Sequence, residues 1–291
     1  MDFNLWSKKG YYENINGKNI FIIDEVTSDN TIVILHGFPS CSFDYWKVLP
    51  ILSEKFRVII HDHIGFGLSD KPKEYSYSLF EQADTALEIW KKLGLKNATL
   101  VAHDYGCSIA TEIIARANEG SLPLNFQSAI LGNGSILIDM AKLQLIQKLL
   151  RNQTIGPLVS KLSTKWLFEH SMNKLWSDKS KIENNDFDNL WKMIQFKDGM
   201  NRASQISQYL RERVQFKDRW ISALQQSEIP IHFVWGEDDP IAILDMAETL
   251  HQLVPKSTLT TLSNVGHYPM LEAPKRWSSA VLTVSNNLFI K

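Results

Sequence analysis

The chain has 291 residues, 44% of them hydrophobic, and its nine tryptophans and fourteen phenylalanines supply bulk for one large core or for a core carrying an insertion. A formal net charge of −1, with 31 Lys and Arg against 32 Asp and Glu, gives no electrostatic argument for nucleic acid or for acidic membranes. No apolar run approaches bilayer-spanning length, residues 1–15 are too polar for a signal peptide, and two cysteines make no disulfide framework; the expectation is a cytoplasmic protein without integral membrane contact, with Cys41 and Cys107 as free buried thiols.

Tyr11–Ile15 and Lys18–Asp24 flank Asn16-Gly17, a hairpin signal, so the sheet is expected to begin with antiparallel strands. Thr31–Leu35, Phe56–Ile60, Ala98–Ala102 and Phe126–Leu131 are short apolar runs, separated by helix-like stretches near 43–53, 77–93 and 107–119. This alternation predicts parallel strands with helices on both faces. From 136 to 221 the patterns are helical, with many Trp, Lys, Asn and Ser residues and no convincing central strand. The alternation then returns with Ile231–Trp235, a helix near 242–253 and a strand at Ser257–Leu262. The expected division is an α/β core in two parts, 1–132 and 222–291, interrupted by a helical cap at 133–221.

Ligands of such sheets bind beyond the C-terminal ends of the strands, which focuses attention on four loops. Val101-Ala102-His103-Asp104-Tyr105-Gly106 has the small-x-nucleophile-x-small form of a strand-to-helix elbow, with a carboxylate as the reacting group. An Asp at a helix start is also a favoured cap. His36-Gly37-Phe38-Pro39 follows the first parallel strand, with Pro39 suited to a tight turn, cis or trans. Gly236-Glu237-Asp238-Asp239-Pro240 and Asn264-Val265-Gly266-His267-Tyr268-Pro269 follow two later strands, so the chain order is nucleophile, acid, histidine. Asp238 and Asp239 compete for the acid position.

With Leu35-His36-Gly37-Phe38-Pro39, the elbow and Asp62-His63-Ile64-Gly65-Phe66-Gly67-Leu68-Ser69-Asp70-Lys71-Pro72 together, the chain resembles an α/β-hydrolase of the epoxide hydrolase and haloalkane dehalogenase group over nearly its whole length. The wording of Phe80-Glu81-Gln82-Ala83, His103-Asp104-Tyr105-Gly106, Ile229–Phe233 and His267-Tyr268-Pro269 resembles that of mesoderm-specific transcript protein and its bacterial relatives. The resemblance implies an α/β-hydrolase fold with an inserted cap, Asp104 as nucleophile forming an alkyl-enzyme ester, His267 activating water, and the acid at Asp239 by the Gly-x-x-Asp register. It implies an oxyanion hole from the backbone N–H groups of Phe38 and Tyr105, and a ring-opening hydroxyl at Tyr209. No cofactor and no metal are implied, and the substrate is a small apolar molecule.

The leaving group separates the alternatives. Haloalkane dehalogenases usually carry a tryptophan after the nucleophile and a second halide donor; here those places hold Tyr105 and Phe38, which favours epoxide opening to a diol. Epoxide hydrolases commonly use two tyrosines, yet Ile136–Asn201 contains none, and Tyr209 itself suits an aromatic packing role equally well. Haloalkane dehalogenation and a noncatalytic binding protein on the same scaffold therefore remain as alternatives. Trp166, Phe168, Trp176, Trp191, Met193, Phe196 and Met200 either line a substrate pocket or glue cap helices to the core. His61 and His63 read as part of the 62–72 loop rather than as metal ligands, and Lys91-Lys92 and Arg211-Glu212-Arg213 read as mixed-charge helix surfaces.

Overall fold

The computed structural model describes residues 1–183 and 185–286; the end of the second core segment, 287–291, lies outside them. Eight strands form one sheet in the order β1-β2-β4-β3-β5-β6-β7-β8. They are β1 (Tyr11–Ile15), β2 (Lys18–Glu25), β3 (Thr31–Leu35), β4 (Arg57–His61), β5 (Asn97–His103), β6 (Asn125–Gly132), β7 (Ile231–Gly236) and β8 (Thr258–Leu262). β1 and β2 pair antiparallel through Asn16-Gly17, both at positive φ as a two-residue hairpin turn requires. β2 also pairs antiparallel with β4, and β3 to β8 run parallel.

The central strands are buried on both faces, which is why they read as unbroken apolar runs. Their two-residue period still sorts the side chains. Val33, Leu35, Leu100 and Ala102 join one core cluster, while Ile32, Ile34, Val101 and Ile130 join the other.

Helices α1 (Phe3–Lys9), α2 (Leu49–Leu52), α3 (Leu79–Lys92) and α4 (Tyr105–Asn118) accompany the first part of the sheet. Between β6 and β7 the described residues contain no strand. They form α5 (Leu145–Leu150), α6 (Gly156–Leu162), α7 (Lys165–Met172), α8 (Asp186–Gln195), α9 (Ala203–Ile206), α10 (Tyr209–Gln215) and α11 (Lys217–Gln225), an inserted helical cap. The remaining helices, α12 (Leu244–Leu253), α13 (Pro269–Glu272) and α14 (Pro274–Asn286), return to the sheet.

The cap is tied to the core at α4. Glu112, 1% exposed, accepts hydrogen bonds from Arg116 Nε and, across the interface, from Arg219 Nε and Trp220 Nε1, each at 2.9 Å. With Arg219 Nη2 donating as well, at 3.2 Å, this buried carboxylate has four donors and is satisfied, so α11 is anchored on α4 and α10 is carried over the start of that helix.

Candidate active site

Asp104 is the N-cap of α4, with φ 43° and ψ −106°. A non-glycine residue at positive φ is uncommon, and this turn is the strained corner that lets a side chain leave the sheet edge. Small neighbours make the corner physically possible. A Cβ on Gly106 would stand 2.2 Å from the Leu35 carbonyl oxygen, and one on Gly37 would stand 3.1 Å from Asp104 Cβ. The Phe38 N–H donates to Asp104 Oδ2 at 3.0 Å, and the Phe38-Pro39 peptide is cis. Tyr105 opens α4, where backbone N–H groups lack intrahelical partners. Its ring is buried against His63, Phe66 and Tyr209.

The two aspartates of the acid turn separate clearly. Asp239 is buried and its Oδ2 lies 2.7 Å from His267 Nδ1; Asp238 is exposed and accepts from Ser177 Oγ. Three further donors orient Asp239: Ile241 N–H at 2.7 Å and Ala242 N–H at 3.0 Å on Oδ1, and Asn133 Nδ2 at 2.8 Å on Oδ2. Asn133, at φ 46°, is itself fixed by the Gly236 N–H on its Oδ1 at 3.0 Å. With Nδ1–H given to a carboxylate, the His267 Nε2 is the free base position. Burial alone pulls the His267 imidazole down, but the charge and hydrogen bond of Asp239, with Asp104 and Asp44 nearby, carry it above its ordinary value.

The structure corrects the surface reading of Arg211-Glu212-Arg213. Arg211 is exposed, whereas Arg213 is 2% exposed and turned onto the elbow. Its Nη2 donates to the Asp104 main-chain oxygen at 3.0 Å and lies 3.8 Å from Asp104 Oδ1; its Nε donates to Ser108 Oγ at 2.6 Å. The guanidinium also stands 4.6 Å over the Tyr209 ring, a cation–π stack one helical turn long. Tyr209 is 1% exposed, between Phe38 and Tyr105 with ring centroids 5.8 and 4.9 Å away, and its hydroxyl has no hydrogen-bond partner among the described residues. Burial, then the charge of Asp104, pushes that phenol above its ordinary value.

An apolar pocket is lined from the core by Phe38, Pro39, Ile241 and His267 and from the cap by residues including Leu150, Leu167, Phe168, Met172, Ile194 and Met200. Of the seven apolar cap side chains singled out from sequence, Phe168 and Met200 line it. Trp166 is 70% exposed instead, while Trp176 and Met193 are buried in a core cluster against which Trp191 and Phe196 pack. The hydrophobic pattern marks which residues avoid water, and most avoid it by packing on one another.

His61 and His63 belong to a buried imidazole stack. His36 Nε2 accepts from the His63 N–H at 3.0 Å, His63 Nδ1 lies 3.2 Å from His61 Nε2, and His63 Nε2 lies 3.2 Å from the His36 carbonyl oxygen. No cluster of three or more His, Cys, Asp or Glu able to hold a metal ion occurs among the described residues. Cys41 and Cys107 are free and buried, and no described helix is long and apolar enough to cross a membrane.

The sequence model of the alpha/beta hydrolase fold family matches residues 30–274. Mesoderm-specific transcript protein of Mus musculus is 33% identical over 292 aligned positions, which cover 97% of this chain and 87% of that protein. Among solved structures, haloalkane dehalogenase DbeA from Bradyrhizobium elkani superposes with a TM-score of 0.82 at 18% identity, covering 96% of this chain and 98% of that one. The epoxide hydrolase CorEH superposes with a TM-score of 0.78 at 18% identity, covering 96% and 99%. The chain therefore belongs to the α/β-hydrolase fold family as a relative of mesoderm-specific transcript protein, on the fold that epoxide hydrolases and haloalkane dehalogenases share.

Proposed function

We propose that the protein hydrolyses an apolar epoxide to a diol through an alkyl ester on Asp104, using Asp239 and His267 to release it. The observation that carries this reading is Tyr209: a buried phenol without a partner, held by Arg213 and the Phe38 and Tyr105 rings beside the Asp104 elbow. A buried hydroxyl left unsatisfied is costly, and an epoxide oxygen would satisfy it. An alkoxide forming there would take the phenol proton.

In the first step Asp104 Oδ1 attacks an epoxide carbon, the C–O bond of the ring breaks, and the oxygen that leaves takes a proton from Tyr209. In the second, His267 Nε2 removes a proton from water, which adds to the Asp104 carboxyl carbon. Asp239 stabilises the imidazolium, and the Phe38 and Tyr105 N–H groups hold the oxyanion. Collapse expels the diol oxygen, which takes the proton back from His267, and the proton left on the Asp104 carboxyl passes through solvent to the Tyr209 phenolate, so both groups return to their starting states. Arg213 is a positioning residue that fixes the elbow carbonyl and the Tyr209 ring.

The pocket walls support a small apolar substrate, 133–221 serves as the cap over a core of 1–132 and 222–291, and the buried free thiols suit a cytoplasmic setting. Styrene oxide and 1-bromobutane turnover by the native protein, Asp104→Asn and Tyr209→Phe tests the assignment. Diol formation that both substitutions suppress is expected. Bromide release that Tyr209→Phe leaves intact would instead assign a haloalkane dehalogenase, and binding of both compounds without turnover of either would assign a noncatalytic scaffold.

A further inference from the structure

A net charge near zero conceals a local imbalance in the cap. From Ala141 to Phe168 the chain carries five basic residues, Lys142, Lys148, Arg151, Lys161 and Lys165, and no acidic one. All five are exposed. Lys165 pairs with Glu169 and Asp188, but no ion pair among the described residues engages the other four.

The same stretch holds Leu145, Ile155, Leu158, Leu162 and Trp166, which are 71, 41, 58, 67 and 70% exposed. Ile155, Leu158 and Leu162 are spaced i, i+3, i+7 and share one face of α6 and its entry, with Lys161 beside them. Leu145, Leu162 and Trp166 are each adjacent in sequence to residues that line the apolar pocket: Gln144 and Ile146, Ser163, and Leu167. Exposed apolar side chains interleaved with unpaired cations form the pattern of a helix lying in a lipid–water interface, and the cations select an anionic surface.

We propose that the α5–α7 face of the cap docks on an anionic lipid bilayer, with the exposed leucines and Trp166 seated among the acyl chains and the lysines at the headgroups. Docking places the pocket rim at the membrane. If the epoxide assignment holds, an apolar substrate then passes from lipid to His267 without crossing bulk water; the docking itself does not depend on that assignment.

The test is flotation of the full chain with vesicles of phosphatidylcholine alone and of phosphatidylcholine containing phosphatidylglycerol, with no substrate present. Expected is binding to the anionic vesicles only, weakened by salt, and a loss of about tenfold or more in the bound fraction for Leu158→Asp/Leu162→Asp and for Lys148→Glu/Lys161→Glu. None of these four side chains lines the pocket, so circular dichroism, thermal midpoint and turnover of a water-soluble substrate should match the native protein. Equal flotation of native and variant proteins, or none with either vesicle, overturns the proposal. So does a concentration-dependent dimer that Leu158→Asp/Leu162→Asp abolishes without vesicle binding, which would assign the face to a second copy of the chain.

Discussion

Replacing Asp239 by Asn isolates the contribution of one charge in a well-defined network. The carboxylate accepts four hydrogen bonds, two from backbone N–H groups on Oδ1 and two, from His267 and Asn133, on Oδ2. An Asn that keeps its oxygen on the backbone pair turns an NH2 towards the other two, which are donors. Asn133 cannot turn over to accept without losing its bond from the Gly236 N–H. The variant therefore loses a charge-assisted bond worth about 1.5–3 kcal/mol. It also drives His267 to the tautomer with Nε2 protonated, which cannot take a proton from water. Ester hydrolysis is expected to slow by about 10³–10⁴-fold, or about 4–5.5 kcal/mol in activation free energy. Alkylation of Asp104, which does not use His267, should hardly change. Because Asp239 helps hold the His267 imidazole above its ordinary pKa, and only the neutral ring is a base, the acid limb of kcat should also move to lower pH. Rapid-quench kinetics with mass detection separates the two steps. Equal slowing of both, or hydrolysis within about threefold of native, would refute this account.

Tyr209→Phe removes a hydroxyl without a partner, so thermal stability should be unchanged or higher by up to about 1 kcal/mol while epoxide opening falls about 10²–10⁴-fold; a large loss of stability would mean the hydroxyl has a structural partner. Arg213→Met removes one of the two donors to the Asp104 carbonyl, leaving the Cys107 N–H, and strips Ser108 Oγ of its buried donor; it should cost about 1–3 kcal/mol of stability and slow alkylation, with Arg213→Lys partly restoring both. A Met variant as stable and active as native would remove Arg213 from the elbow's support. Acid should destabilise the fold early. Burial lowers His36 and His61 to about 3, His103 to about 4 and His63 well below its ordinary value, so between pH 6.5 and 5 the unfolded chain takes up protons that the folded chain refuses. Integrated over that interval, with the unfolded imidazole half protonated at its upper end, each of the four groups contributes about 1.7 kcal/mol, so the loss is on the order of 6 kcal/mol, of which the raised His267 offsets a small part. Urea titrations with the same midpoint at both pH values would contradict the burial of this histidine cluster.

The sheet and the three loops bearing Asp104, Asp239 and His267 were legible because each depends on local sequence. Buried parallel strands read as apolar runs, and each loop's small residues and prolines mark a turn at a strand end. Arg213 was not legible from its charged neighbours, since a short polar helix looks solvated throughout. Helical geometry held the missing signal: Tyr209 and Arg213 are i and i+4, so a helix that aims one at the elbow aims the other there too. Asn133 is not marked in the sequence because Gly132-Asn133-Gly134 carries no catalytic pattern; its positive φ is visible only in three dimensions. Helix α1 leaves no periodic pattern in the sequence because its seven residues bury Trp6 alone. Net charge averaged away the basic cap face, whose meaning lies in which residues share a surface.

The most direct measurement is the intact mass, with peptide mapping, of His267→Ala after separate incubation with styrene oxide and 1-bromobutane. Without the base that activates water, the ester should accumulate. A styrene oxide adduct on Asp104, absent when Asp104→Asn is added, is the predicted result. No adduct with either compound, or an adduct on any other residue, would contradict the assignment of Asp104 as the nucleophile of an epoxide-opening hydrolase.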